Sequence, residues 1–295
     1  MFDVRHLRML RELSHRATMT AVGEALGLTA SAVSQQLTAL EHAAGVPLLD
    51  RIGRRVILTD AGVRLVAHAE KVMAAIEEAE QDILGAVGAP RGDLVVATFA
   101  SFARLRILPA VQRIRQRHPQ LRVTLHELET PDALEAVRDG RCHIAIVFTY
   151  NLVPHPGTAN FTSTPLVDEP VMLVQPPSRP RNRAAVDVRG LKDAEWIVGS
   201  RQSDDRILVE RVCASAGFAP RIRHAVDDYS LVLGMVAAGL GVGFVPEMGL
   251  EGASNRRIQA HTISGPSVRR LISAVTRPLV AGSANVKALI RELRA

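Results

Sequence analysis

The chain reads as a multidomain protein: an N-terminal all-α winged helix-turn-helix, a long linker helix, and a C-terminal α/β domain of two subdomains. Three observations predict this. Short helical patterns and a hairpin pattern occupy residues 1–58, one unbroken helical pattern runs over 59–88, and from Gly92 short apolar strands alternate with amphipathic helices. A length of 295 residues suits about two domains. The stretch Gly85 to Asp93, GAVGAPRGD, is rich in Gly and Pro and marks the boundary.

The first helix is set by Val4, Leu7, Leu10 and Leu13, with Met9, at helical spacing. A second fits Thr20 to Leu26, with Thr18 or Thr20 as N-cap and Gly27 as its stop. A third follows with an apolar face of Val33, Leu37, Leu40 and Ala44 and a polar face of Ser31, Ser34, Gln35 and Thr38. Two short helices joined by a Gly-containing turn form a helix-turn-helix, whose second helix enters a groove about 12 Å wide. Residues at its start, here Thr29 and Ala30 followed by Ser31, Ser34 and Gln35, must be slim and able to hydrogen-bond. Gln can pair with adenine N6 and N7, and Ser with base or phosphate. Ser and Gln are also ordinary surface residues, so the next segment matters. Pro47 to Leu58 reads as two short strands around Gly53, a wing carrying Arg51, Arg54 and Arg55. Each guanidinium can grip phosphate oxygens through two donors.

These pieces have a joint signature: Leu7-Arg8-Met9-Leu10, Ala25-Leu26, Ser31-Ala32-Val33-Ser34-Gln35-Gln36-Leu37 with Leu40-Glu41, Gly45-Val46-Pro47-Leu48-Leu49-Asp50-Arg51, and Leu58-Thr59-Asp60-Ala61-Gly62. At this spacing residues 1–62 resemble the DNA-binding domain of the LysR-type bacterial transcriptional regulators. Met19 stands where that family commonly has Phe, and Ala30-Ser31 where it has Gln-Pro or Ser-Pro. The resemblance implies sequence-specific binding to double-stranded operator DNA by a homo-oligomer.

Thr59 and Asp60 can cap the long helix. Leu65, Ala69, Val72, Ile76, Ala79 and Ile83 recur at spacings of four and three, the repeat of a two-helix seam. The expected partner is a second copy of the chain, with packing on the chain's own C-terminal domain as the competing reading. A symmetric dimer presents two recognition helices to half-sites spaced in turns of about 34 Å. The resemblance further implies tetramers.

The domain 92–295 begins βαβαβ: strands Leu94–Thr98, Val123–Leu128 and Ile144–Phe148, helices Leu105–Arg117 and Pro131–Arg138. The helix-Gly-strand stretch Ala133–Phe148 is echoed by Val232–Pro246. This predicts subdomain I (92–162 and 267–295) and subdomain II (163–266), with hinge crossovers near Asn160–Leu166 and Ile263–Val268. It resembles the effector domain of the same family, which has the periplasmic-binding-protein fold. Ligands in parallel sheets sit beyond the carboxyl ends of strands. Candidate effector contacts are Ala100, Ser101, Phe102, Thr130, Phe148 and Thr149 in one subdomain, and Ser200, Ser203 and Phe244 in the other. The expected ligand is a small anionic or amino-acid-like metabolite between Ser101 and Ser200.

Composition narrows the rest. The net charge is +6, yet residues 1–60 hold seven Arg against six acids, so bulk charge does not mark the DNA-binding face. No run of 18 apolar residues suggests a membrane span, and the charged N-terminal stretch does not read as a secretory signal, so a cytoplasmic protein is expected. Cys142 and Cys213 cannot form a disulfide framework or a four-ligand metal site, and no cofactor is expected. Gly239-Leu240-Gly241-Val242-Gly243 follows a helix and enters a strand, the reverse of a dinucleotide loop. The alternative function is a solute-binding protein or an enzyme with a fused helical domain. A transport role would want a secretion signal and an enzyme a convergent acid–base set, and neither is legible.

Overall fold

The computed structural model describes residues 1–16, 18–52, 55–85, 89–154, 160–177, 185–200, 203–251, 257–265 and 267–295. Helices α1 (Val4–Arg16), α2 (Met19–Leu26) and α3 (Ala30–Ala44) pack their apolar faces around Leu7, Leu10, Leu13, Val22, Val33, Leu37 and Leu40, all buried. Each such side chain contributes about 1.5–3 kcal/mol of transfer free energy. Thr18 caps α2 and Thr29 caps α3, their Oγ1 atoms accepting from Ala21 and Ala32 amides at 3.2 Å. Gly27 and Gly45 end these helices in the left-handed region, at φ 68° and 70°.

The tight α2–α3 turn depends on Gly23. Leu28 donates its amide to the Gly23 carbonyl at 2.8 Å, and a Cβ on Gly23 would lie 2.5 Å from the Leu28 carbonyl oxygen. Strands β1 (Leu49–Ile52) and β2 (Arg55–Leu58) then pair antiparallel, with Leu49 opposite Leu58 and Ile52 opposite Arg55. Glu41 ties this hairpin to α3: its Oε1 accepts from the Leu48 and Leu49 amides at 2.9 and 3.0 Å. Thr59 caps the linker helix α4 (Asp60–Gly85), accepting from the Gly62 amide and donating to the Pro47 carbonyl.

The expected seam on α4 divides. Leu65 and Ala69 are taken up by the N-terminal core, while Val72 and Ile76 remain 36% exposed. Ala79 is also exposed, and the side chain of Ile83 lies outside the described residues. Another side of α4 meets its own C-terminal domain: Lys71 pairs with Asp139 at 3.8 Å, and Ala74 sits against Gly140.

In the C-terminal domain, β3 (Gly92–Thr98) leads into α5 (Ala100–Phe102), which continues through a π-helical turn, Ala103–Ile107, into α6 (Leu108–Arg117). Then come β4 (Leu121–Glu127), α7 (Thr130–Arg138), β5 (Ile144–Tyr150) and the 14-residue β6 (Thr162–Gln175). Next are β7 (Glu195–Val198), α8 (Asp204–Ser215), β8 (Arg221–Ala225), α9 (Tyr229–Ala237), β9 (Gly243–Pro246), α10 (Glu247–Leu250) and β10 (Gln259–His261). The chain ends with β11 (Arg269–Thr276) and α11 (Ala284–Arg294). The sheet order β10-β6-β11-β5-β3-β4, with β9 also on β6, is mixed: β3, β4 and β5 run parallel and β11 antiparallel to both its neighbours. The final helix returns to the first subdomain, where Arg113 and Arg117 of α6 grip Glu292 at 2.8 and 2.5 Å.

The first crossover is not where the sequence suggested. Residues 162–170 pair with β11, so this half of β6 lies in the sheet of subdomain I, although the expected boundary at 163 gave it to subdomain II. From Val171 onward the same strand pairs with β9 and β10. The switch falls at Pro170, which has no N–H to donate to a ladder. A continuous strand thus crosses between subdomains where a loop near Asn160–Leu166 was expected.

Replacing Gly23 by Ala forces the α2–α3 turn open. We expect a loss of about 1–3 kcal/mol in the N-terminal unit, the usual cost of overpacking, seen as a lowered unfolding midpoint.

Candidate nucleic-acid interface and ligand cleft

The polar edge of α3 faces outward. Thr29, Ala30, Ser31, Gln35 and Thr38 are exposed and Ser34 is half-buried, while Val33, Leu37 and Leu40 between them are in the core. The helical period produces this division. Thr29 Oγ1 lies 3.0 Å from Ser31 Oγ, and Thr38 donates to the Ser34 carbonyl at 3.0 Å. The Gln35 side chain is open to solvent. Arg51 and Arg55 stand on β1 and β2, opposite Val56 and Ile52, flanking the hairpin tip. Arg54 lies outside the described residues.

The second site is a cavity of about 330 Å³ between the subdomains. Ala100, Ser101, Thr130 and Phe148 line it from one side, Ser200 and Ser203 from the other. Its floor is Arg270, fully buried on β11. Arg270 forms an ion pair with Glu169 of β6 at 2.6 Å and reaches Ser101 Oγ at 3.4 Å. The rings of Phe99, Phe148 and Tyr229 surround its guanidinium, with centroids 5.0, 5.4 and 5.9 Å away. Burial opposes its charge, yet Tyr229, Tyr150 and Glu169 raise its pKa further above the ordinary arginine value. Glu169 is itself anchored, since its Oε2 accepts from the Met248 amide at 2.7 Å. Tyr150 reaches across to subdomain II, where it and Tyr229 of α9 both donate to Asp205 Oδ1, at 2.6 and 2.9 Å. Burial, then Asp205, hold both phenols well above pKa 10, so they remain donors. Glu129, at the N-terminus of α7, makes no side-chain capping bond. Desolvation and then the negative charges of Asp205 and Asp227 push its pKa up to about 7.

Residues 4–63 match the bacterial regulatory helix-turn-helix protein, lysR family, and residues 88–295 match the LysR substrate binding domain. The chain belongs to the LysR family. It is similar to the probable RuBisCO transcriptional regulator of Cyanophora paradoxa, 26% identical over 285 residues, covering 94% of this chain and 86% of the relative. CbbR of Xanthobacter flavus, an HTH-type transcriptional regulator, is 27% identical over 300 residues, covering 99% of this chain and 88% of the relative. A full-length OxyR variant from Pseudomonas aeruginosa shares the fold, with TM-score 0.78 at 20% identity, covering 100% of this chain and 98% of that one. This LysR-family chain is a DNA-binding transcriptional regulator with an effector-binding C-terminal domain.

Not every expected cleft residue reaches the cavity. Phe102 is fully buried in the core of subdomain I, packed on Phe99, because the short helix α5 turns it inward. Thr149 follows Phe148 on β5 and therefore points to the other side of the sheet. Phe244 packs on Trp196 inside subdomain II, with ring centroids 5.7 Å apart. Conversely, Arg270, Glu169, Tyr150, Asp205 and Glu129 were not anticipated. Their partners are 101 residues apart for Arg270 with Glu169 and 55 for Tyr150 with Asp205, beyond any local spacing. A charged residue inside the apolar strand Arg269–Thr276 was the one available signal. Both cysteines are buried, and desolvation raises Cys142 to about 11 and Cys213 to about 12, which opposes thiolate chemistry. Among the described residues no cluster of three His, Cys, Asp or Glu could hold a metal, and no helix is long and apolar enough to cross a membrane.

Two outcomes are expected. Arg270→Met leaves Glu169 uncompensated and should cost about 3–5 kcal/mol in denaturant unfolding. The Glu129 carboxyl, followed by carbon-13 NMR, should titrate near pH 7. Asp227→Asn removes a like charge and should move that titration down.

Proposed function

We propose that this regulator reads operator DNA with the start of α3 and senses a small effector in the inter-subdomain cleft. Ser31, Ser34 and Gln35 meet base edges in the major groove. Thr29, Ala30 and Thr38 flank them. Arg51, Arg54 and Arg55 hold backbone phosphates. The observation that carries this reading is the exposed polar edge of α3, capped by Thr29 and tied to the wing by Glu41, so that groove and backbone contacts are presented in one rigid frame. Thr29 now marks the start of that helix although a first-turn Pro is missing.

Two chains pair through α4, whose Val72 and Ile76 are left exposed, and the pairs assemble further into tetramers. In the cleft, Ala100, Ser101, Thr130, Phe148, Ser200 and Ser203 contact the effector. An effector that binds the closed cleft better than the open one changes the angle between subdomains and so the placement of the DNA-reading pairs. Strand β6, shared by both sheets, is the element that such a change would bend. Cytoplasmic operation and the absence of enzymatic activity follow from the same reading.

A gel-shift assay on DNA upstream of its own gene tests the interface. The double change Ser34→Ala and Gln35→Ala should remove base discrimination, at about 1–3 kcal/mol for each bidentate pair lost. Arg54→Ala should weaken binding on every sequence and lower the salt slope by about one. Unchanged specific binding by the double variant at physiological salt would remove α3 from the reading role.

A further inference from the structure

The cavity between the subdomains is acidic. Asp204 and Asp205 enter it from the first turn of α8, Asp227 and Asp228 from the start of α9, and Glu129 and Asp132 from the start of α7. Two guanidiniums, of Arg104 and Arg270, oppose them. That of Arg270 is already neutralised by Glu169 beneath the floor. This count covers the described residues; Arg201 and Gln202, which follow Ser200, lie outside them.

Three of these acids are held in place by hydrogen bonds. Asp205 is fixed by two buried tyrosine hydroxyls on a single oxygen. Asp227 accepts from the Ser200 amide at 2.7 Å, and Asp228 caps α9 through the Leu231 amide at 2.7 Å. These bonds use one oxygen of each carboxylate. Burial first, and then the neighbouring charges of Asp205 and Asp227, raise the Glu129 carboxyl to about 7. An anion entering here is repelled by those charges, whereas a cation offsets them.

We propose that the effector carries at least one protonated amine, seated against the aspartates of subdomain II. The proposal rests on the reading of this cavity as the effector site. It sharpens the sequence expectation toward an amine-bearing ligand, such as a cationic amino acid or a short diamine, and away from a simple dicarboxylate. About 330 Å³ suits a ligand of that size.

Calorimetry on the full chain, at roughly pH 8 so that Glu129 is ionised, tests this with lysine, arginine, 1,4-diaminobutane and succinate as probes. Three proteins are compared: the parent, the double variant Asp227→Asn with Asp228→Asn, and the cavity-filling variant Ala100→Trp. The asparagines keep the acceptor oxygens that hold Ser200 and cap α9 and remove only the charge. At least one amine probe should bind the parent, lose tenfold or more in affinity with the double variant, and lose binding with Ala100→Trp. Succinate binding that Ala100→Trp abolishes, with no amine binding, would overturn the amine assignment and leave the cleft reading intact. Amine binding indifferent to Ala100→Trp would overturn the cleft reading as well. Amine binding unchanged in the double variant, or no heat from any probe at millimolar concentration, would also overturn the proposal.

Discussion

The C-terminal domain is organised around one buried charge. Arg270 has no access to water, and its desolvation is offset only because Glu169 stands 2.6 Å away and three aromatic rings face its guanidinium. The guanidinium and its four partners come from five separate segments. Phe99 follows β3, Phe148 lies on β5, Glu169 on β6, Tyr229 on α9, and Arg270 itself on β11. Satisfying one guanidinium therefore sets the strand register on both sides of β11 and docks the second subdomain against the first. The cavity exists above this point because the strands end there and the side chains below it are committed.

A second constraint operates in the N-terminal unit, and it is steric. The recognition helix can present a slim polar edge only if α2 and α3 approach closely, and Gly23 permits that by leaving space for the Leu28 carbonyl. Gly62 does the same against the Leu48 carbonyl, where the wing meets the linker helix. Glu41 adds the hydrogen bonds that hold the hairpin in line with α3. The DNA-reading frame is thus a set of backbone contacts between four elements, with the functional side chains left free at its surface.

The two halves are joined by α4, and its surface is divided three ways. Leu65 and Ala69 close the N-terminal core, Lys71 and Ala74 meet the C-terminal domain, and Val72 and Ile76 stay exposed. A heptad pattern in the sequence registers apolar positions without naming what covers each of them. That is why a single uniform seam was expected and a divided one is observed.

Local spacing alone determined a good deal. Periodicity of 3.6, with Thr18 or Thr20 and Thr59 and Asp60 as candidate caps, located the helices, and the alternation of strands and helices gave the class of the C-terminal domain. Ser31, Gln35 and Thr38 were legible as an outward face because a helix repeats over distances the eye can count in sequence. The crossover through β6, the inward turn of Phe102 and Phe244, and the acidic lining of the cleft were decided only in three dimensions. Glu169 and Arg270 are 101 positions apart, and nothing local to either says that they meet. Short-range order follows from backbone geometry, which each segment carries within itself. The charge and shape of a cleft between subdomains follow from which distant segments share it, and packing of the whole chain settles that.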